Sequence, residues 1–301
     1  MLDVGKLRLL RELSQRQTMS AVADAVCITA SAVSQQLSNL EHEAGVALIE
    51  RYGRGVRLTP AGKNLVAYAD RVFAVLEEAD AELSRMHGVL SGTVKIAAFS
   101  STAVSLMPRI VTDLRDKHPA LNIHLHDFEP AEGLAALRSW HIDLALIDDM
   151  FVSAPTDVGS IERHYLFTDE LYAVLPSGHR LSTSRTVQLC DLASENWALN
   201  AHTSAYYQAI VTACRAAGFE PSVNSSCRNV EVTLAMVASG CSVSVLPRLL
   251  TQRRRGELCV KRLSPTMTRK VDAAIRAGSS SDPAISTVLE SLRHASREVY
   301  G

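Results

Sequence analysis

The side chains best suited to chemistry lie in the stretch "SAVSQQLSNLE", Ser31 to Glu41. Val33, Leu37 and Leu40 recur at helical spacing and mark the buried stripe of an amphipathic helix. Its other face carries Ser31, Ser34, Gln35 and Ser38, short hydroxyls and an amide in place of long charged groups. Such a face suits close approach and hydrogen bonding, although the segment alone fits an ordinary polar surface equally well. A little further on, "ERYGRGVRLT" places Arg51, Arg54 and Arg57 around Gly53 and Gly55. The glycines permit a tight turn, and guanidinium groups there can contact phosphate; three arginines alone would more often mark a solvated loop.

A second group of candidates lies in the C-terminal two thirds. In "FSSTAVSLMP" (Phe99 to Pro108) a strand-like run gives way to a hydroxyl cluster and then a helical pattern. Ser100, Ser101 and Thr102 therefore fall at a helix start, where free N–H groups and the helix dipole favour anions. "AHTSAYY" (Ala201 to Tyr207) repeats the arrangement. Two hydroxyl-rich helix starts point to a small carboxylate or phosphate ligand, yet Glu129 and Asp148, expected near the same strand ends, suit a cation or amine. Both readings stand, as does simple helix capping. His124 and His126 share a strand face without a third ligand at suitable spacing, so no metal is expected there.

Several elements must position these groups. Thr18 is placed to cap a short helix with Ala21, Val22, Ala25 and Val26 on its apolar side. Cys27 and Ile28 form a tight turn, and Thr29 caps the next helix, which contains the polar face. Helix, tight turn and helix followed by a basic wing is the helix-turn-helix pattern, whose second helix enters the major groove of DNA. Thr59 and Pro60 then open a long helix to about residue 87. Leu65, Val72, Ala79 and Met86 with Ala69, Leu76 and Leu83 form an a/d seam over three heptads, suited to pairing with a second copy or to packing on the chain's own domain.

From Ser91 onward strand-like and helical runs alternate, which indicates an α/β architecture. Strands are predicted over 93–99, 121–128, 142–148, 170–176, 242–247 and 270–278. Helices are predicted over 104–117, 131–140, 206–217, 230–239 and 283–298. The 301 residues allow two or three compact units. With 47% hydrophobic and 21% charged residues the composition is that of a globular protein. No apolar run approaches the ~20 residues of a membrane span, so a cytoplasmic location is expected. A net charge of −1 gives no whole-chain attraction to nucleic acid, which must rest on a local patch. The six cysteines lack a C-x-x-C pair and read as reduced structural thiols, with Cys214 and Cys227 the one pair considered for redox work.

The first ~65 residues resemble the N-terminal domain of LysR-type transcriptional regulators. The matching positions are Ser31-Ala32-Val33-Ser34, Gln36, Leu40-Glu41, Gly45, Leu48, Arg51, Arg54, Leu58-Thr59 and Ala61-Gly62. Ala30 stands where that family usually has Gln or another polar residue, Ile49 where it has Phe, and Gln17 where it has glycine. "LMPRI", "HIDLALID", "LYAVLPSGH" and "VASGCSVSVLP" are similar to segments of the family's effector domain. The resemblance implies an all-α winged helix-turn-helix domain over 1–58, a linker helix over 59–88 and an effector-binding domain over 89–301. The last would comprise two Rossmann-like subdomains of periplasmic-binding-protein type II, one of about 91–161 and 266–301, the other of about 162–265.

DNA contacts are then expected from Thr18, Thr29, Ala30, Ser31, Ser34, Gln35, Ser38, Arg51, Arg54 and Arg57. By motif position, effector contacts fall on Ser101, Thr102, Glu129, Pro130, His202, Thr203 and Val230, to which the residues themselves add Ser100 and Asp148. Dimer contacts in the effector region are expected on the 104–117 helix and the strand after it. The implied partners are double-stranded DNA, a small-molecule effector and further copies of the chain, as homodimer or homotetramer, with RNA polymerase a further candidate. No cofactor is expected. The competing reading is a cytosolic small-molecule-binding protein or an enzyme using the same cleft, but no nucleophile–base pair or metal motif is present to support the enzyme.

Overall fold

The computed structural model describes residues 2–16, 18–26, 28–52, 55–86, 90–138, 140–150, 161–251 and 258–300; side chains at 15, 25, 51, 52, 55, 74, 77, 78 and 80–86 fall outside that description. Two compact units are present, Met1–Gly88 with Ser139–His141, and Val89–Arg138 with Ile142–Gly301.

The first unit holds α1 (Val4–Arg16), α2 (Met19–Val26), α3 (Ala30–Ala44), a hairpin of β1 (Ile49–Tyr52) and β2 (Gly55–Leu58), and α4 (Pro60–Met86). Its core takes Leu7, Leu10 and Leu13 from α1, Val22 from α2, and Val33, Leu37 and Leu40 from α3. Those positions recur three or four apart, so each helix buries one stripe and leaves the other face outside. Thr29 caps α3, its hydroxyl accepting from the Ala32 N–H at 3.2 Å, and Gly45 closes the helix in the left-handed conformation at φ 69°.

The wing is tied to α3 by one carboxylate. Glu41 Oε1 accepts the backbone N–H groups of Leu48 (2.8 Å) and Ile49 (2.9 Å). The next tie fixes α4: Thr59 Oγ1 donates to the Ala47 carbonyl and accepts from the Gly62 N–H. A Cβ on Gly62 would run into the Leu48 carbonyl oxygen, a backbone atom with no freedom to swing aside. Gly62→Ala is expected to destabilise the head by about 2–3 kcal/mol through this overpacking. Urea unfolding followed at the head should show it as an earlier transition, and an unchanged midpoint would remove the steric argument.

Helix α4 uses its apolar residues unequally. Ala69 is buried in the head's own core and Leu65 packs against it, so these two members of the expected dimer seam are occupied within the protomer. Asp70, also buried, pairs with Arg11 of α1 at 2.7 Å. Val72 and Leu76 are exposed, as are Tyr68 and Val75; Ala79 is exposed as well. The side chains of Leu83 and Met86 lie outside the described residues.

The second unit is built on β3 (Gly92–Ala98), β4 (Leu121–Asp127), β5 (Leu144–Asp148), β6 (Ile161–Pro176), β7 (Thr186–Val187), β8 (Asn196–Asn200), β9 (Ser222–Cys227), β10 (Ser244–Pro247) and β11 (Leu258–Arg276). Its helices are α5 (Ser100–Ser105), α6 (Met107–Lys117), α7 (Pro130–Arg138), α8 (Ala205–Ala216), α9 (Val230–Ala238), α10 (Arg248–Thr251) and α11 (Pro283–Tyr300). The main sheet runs β10-β6-β11-β5-β3-β4 with β7 on β11, and a second sheet pairs β8 with β9. β3 is parallel to β4 and β5, and β8 is parallel to β9. The long strands β6 and β11 are antiparallel and run through both lobes, with a break in register between Arg262 and Met267. Pro265, which has no N–H for a ladder, lies inside that break.

Two corrections to the predicted elements follow. One helix was expected over 104–117; α5 instead ends at Ser105 and α6 starts at Met107, with Leu106 between them. The strands predicted over 170–176 and 270–278 are the ends of much longer ones, β6 and β11.

Candidate functional site

In the head, α3 presents Thr29, Ala30, Ser31, Ser34, Gln35 and Ser38 to the outside while Val33, Leu37 and Leu40 stay buried. The Thr29 hydroxyl is committed to its cap and lies 3.0 Å from Ser31 Oγ. Thr18 is exposed and its hydroxyl caps α2, accepting from the Ala21 N–H at 3.2 Å. These two hydroxyls therefore hold the helix starts in place, which leaves Ser34, Gln35 and Ser38 as the freer polar groups of the face. Beside it stands the β1–β2 hairpin. Arg57, in β2, pairs with Glu50 of β1, Nε to Oε1 at 2.7 Å. Arg54 and the Arg51 side chain lie outside the described residues. A helix with a short-chained polar face next to a basic hairpin matches the width of a major groove flanked by phosphates.

In the second unit a cleft opens at the carboxyl ends of the parallel strands, the usual ligand position in such sheets. Ser100 and Ser101 reach it from the start of α5, Glu129 and Pro130 from the start of α7, and Asp148 from the end of β5. The opposite lobe contributes Asn200, Tyr206, Arg228 and Val230. The free space inside the cleft is about 40 Å³, room for about three waters at ~10–15 Å³ each, and the cleft is open to solvent on one side. A metabolite-sized ligand needs more room than this, from a shift of side chains or of the lobes.

Arg269 of β11 forms the floor. It is only 3% exposed, and its guanidinium joins both lobes. Nη1 donates to Asp148 Oδ2 (3.3 Å), and Nη2 donates to Ser101 Oγ (2.7 Å) and Asp169 Oδ2 (3.0 Å). The Phe99 ring lies 5.0 Å away and the Tyr206 ring 5.8 Å. Tyr300, near the end of α11, donates to the second oxygen of Asp169 at 2.5 Å and stacks on Phe167. Burial opposes the charge on Arg269, but Asp169 and Asp148 outweigh it and raise its pKa. Burial pushes Asp148 above the usual carboxylate range even though Arg269 pulls it down. Glu129 is raised by burial first, then by repulsion from Asp148, Glu132 and Asp127.

Six of the nine expected effector residues, Ser100, Ser101, Glu129, Pro130, Asp148 and Val230, line this cleft. Three do not. Thr102 is buried beneath it, its hydroxyl donating to the Phe99 carbonyl at 2.8 Å. His202 and Thr203 are exposed outside it, because the α8 cap is Ser204, one residue later. His202 instead meets Tyr207 edge-on. Arg269, Asp169, Arg228 and Asn200 were not anticipated. No local signal marked Arg269, which lies inside β11 between Thr268 and Lys270. The Cys214 thiol is fully buried and pushed up to about 12 by burial, which suits a structural role. Among the described residues no group of three or more His, Cys, Asp or Glu could hold a metal ion.

Fold and sites together define a winged helix-turn-helix head joined to a two-lobed α/β ligand-binding unit. The chain matches "Bacterial regulatory helix-turn-helix protein, lysR family" over residues 4–63 and "LysR substrate binding domain" over residues 87–297. It belongs to the LysR-type transcriptional regulators, DNA-binding proteins with an effector-binding domain and not enzymes. It is 30% identical over 246 residues to the transcriptional dual regulator GltC of Bacillus subtilis, covering 82% of this chain and 81% of that one. It is 27% identical to the regulator BenM of Acinetobacter baylyi, covering 99% and 96%. Among solved structures, a full-length OxyR variant of Pseudomonas aeruginosa with one cysteine replaced shares the fold with TM-score 0.73 and 24% identity, covering 97% and 95%. Full-length CbnR complexed with its target DNA does so with TM-score 0.71 and 18% identity, covering 98% and 100%. Among the described residues no helix is long and apolar enough to cross a membrane.

Proposed function

We propose that this regulator works in the cytoplasm as a dimer, or a dimer of dimers, on an interrupted inverted repeat in promoter DNA, with RNA polymerase as a downstream partner. The observation that carries the DNA reading is the α3 face, where Ser34, Gln35 and Ser38 are exposed over a fully buried stripe beside a basic hairpin. Base contacts fall to Gln35 with Ser31, Ser34 and Ser38, and phosphate contacts to Arg51, Arg54 and Arg57.

Pairing falls to the exposed turns of α4 with Val72, Leu76 and Ala79, continued by Leu83 and Met86. Edge strand β4 with exposed Leu125, and α6 beside it, offer a second contact. A small metabolite bound between the lobes shifts the placement of the heads because it favours one arrangement over another. Ser100, Ser101, Glu129, Pro130, Asp148 and Val230 line its site. Leu76→Glu tests the pairing. It is expected to shift sedimentation towards the monomer and to weaken binding to a two-half-site duplex by about 10²-fold or more, and a variant that stays dimeric with wild-type affinity would refute the assignment of α4. Gln35→Ala, in the same gel shifts, should relax sequence preference while leaving the salt dependence unchanged.

A further inference from the structure

The charges of the cleft go further than the reading above, on which this inference rests. Its floor is short of positive charge, since Arg269 is shared between Asp148 and Asp169 and so is already matched. Glu129 adds a third carboxylate. It is half-buried at the start of α7, and among the described residues its side chain accepts no hydrogen bond; its backbone N–H donates to Glu132 and its carbonyl accepts from the Gly133 N–H. A carboxylate held in that position beside Asp148 calls for a cationic donor.

The cleft also has donors without acceptors. Arg269 Nε–H is buried and has no hydrogen-bond partner among the described residues, and a buried N–H left in that state is costly. On the facing lobe Arg228 lines the cleft, exposed, with its guanidinium in no ion pair among the described residues. Both ask for an anionic acceptor. Val230, Leu246 and Leu250 add an apolar lining to the same cleft.

We infer that the cleft ligand is a free α-amino acid with an uncharged side chain. Its ammonium group lies against Glu129 and Asp148. Its carboxylate accepts from Arg228 and from the Nε–H of Arg269, and its side chain rests on Val230, Leu246 and Leu250. A simple carboxylate or phosphate would face Glu129 and Asp148 with like charge, and a simple amine would leave both arginine donors unanswered. The ligand that satisfies both sets carries both charges.

Thermal shift of the full-length protein against each proteinogenic L-amino acid, followed by titration calorimetry, tests this. For every binder the matched amine and the matched acid are measured alongside; for L-leucine these are 3-methylbutylamine and 4-methylpentanoate. At least one uncharged amino acid is expected to bind, and its amine and acid analogues to bind at least about tenfold more weakly, the loss of one charged hydrogen bond. Glu129→Gln should weaken the amino acid by at least about tenfold and bind the acid analogue at least as tightly as the unmodified chain does. The comparison of the three compounds on the unmodified chain does not depend on any variant folding. If no amino acid binds, or if the acid analogue binds as tightly as its amino acid, the inference is overturned. Tight binding of the acid together with an altered gel shift would overturn it while leaving the regulator reading intact. An amino acid that binds with these preferences but leaves the gel shift unchanged would uphold the ligand class and sink the regulatory role of the cleft.

Discussion

Replacing Arg269 with methionine is expected to cost the α/β unit about 3–5 kcal/mol, because it removes one partner of a buried charge cluster. Methionine fills much of the volume, so the loss is chiefly electrostatic. Asp148 and Asp169 would face each other across the floor with no cation between them, and Ser101 Oγ and the Phe99 ring would lose their contact. The sign of the pH dependence follows from Asp148. Its folded pKa lies above its unfolded one, so the ionised carboxylate opposes folding. That handicap is absent below the unfolded pKa and grows as pH rises towards the folded pKa. Without Arg269, which pulls Asp148 down, the folded pKa climbs further and the handicap at neutral pH increases. The gap between variant and wild type should therefore be widest near neutral pH and narrow on acidification. Urea unfolding of the α/β unit at about pH 7.5 and about pH 5 measures it. A gap of equal size at both values would mean that the loss is one of packing and that charge contributes little.

The head was more legible in the sequence than the cleft, and the reason is one of distance along the chain. Helix α3 declares itself within fifteen residues: Thr29 at the cap, Val33, Leu37 and Leu40 on one stripe, Gly45 at the end. Each signal acts on neighbours three or four positions away, which periodicity reads directly. The buried turn of α4 was less legible. Leu65 and Ala69 continue the same apolar series as Val72 and Leu76, and nothing local distinguishes packing on α1 from packing on a second copy. In the cleft, Arg269 meets Ser101, Asp148 and Asp169, which are 100 or more positions away in sequence. No local pattern encodes that convergence. Only the ends of β6 and β11 were predicted, because charged residues break the rest into short pieces. In β6 the run Glu162-Arg163-His164 separates Ile161 from the short apolar group Tyr165-Leu166-Phe167, and the facing part of β11 carries Arg269, Lys270 and Asp272. His202 and Thr203 were assigned to the cleft by motif position; the α8 cap is Ser204, one or two residues later, and both side chains face solvent.

The basic wing carries the other large effect. If Arg51, Arg54 and Arg57 each contact one phosphate from each head of a dimer, changing all three to alanine removes about six contacts and flattens the salt dependence of log K by about five. Between about 50 and 200 mM salt the unmodified chain should therefore lose on the order of 10³-fold more affinity than the variant, on specific and unrelated duplexes alike. Arg57 is held by Glu50 at 2.7 Å, so part of its charge is already answered within the hairpin. Arg57→Ala alone should therefore cost less than the loss of one unshared phosphate contact. Glu50→Gln should do the opposite. It removes the Glu50 charge from Arg57 and takes a carboxylate away from the DNA-facing surface, so affinity should rise by about three- to tenfold in a dimer and the salt slope should steepen. Gel-shift titrations at several salt concentrations separate these outcomes. Weaker binding by Glu50→Gln would show that the ion pair holds Arg57 in the position from which it reaches the phosphate, and that its charge is not being withheld.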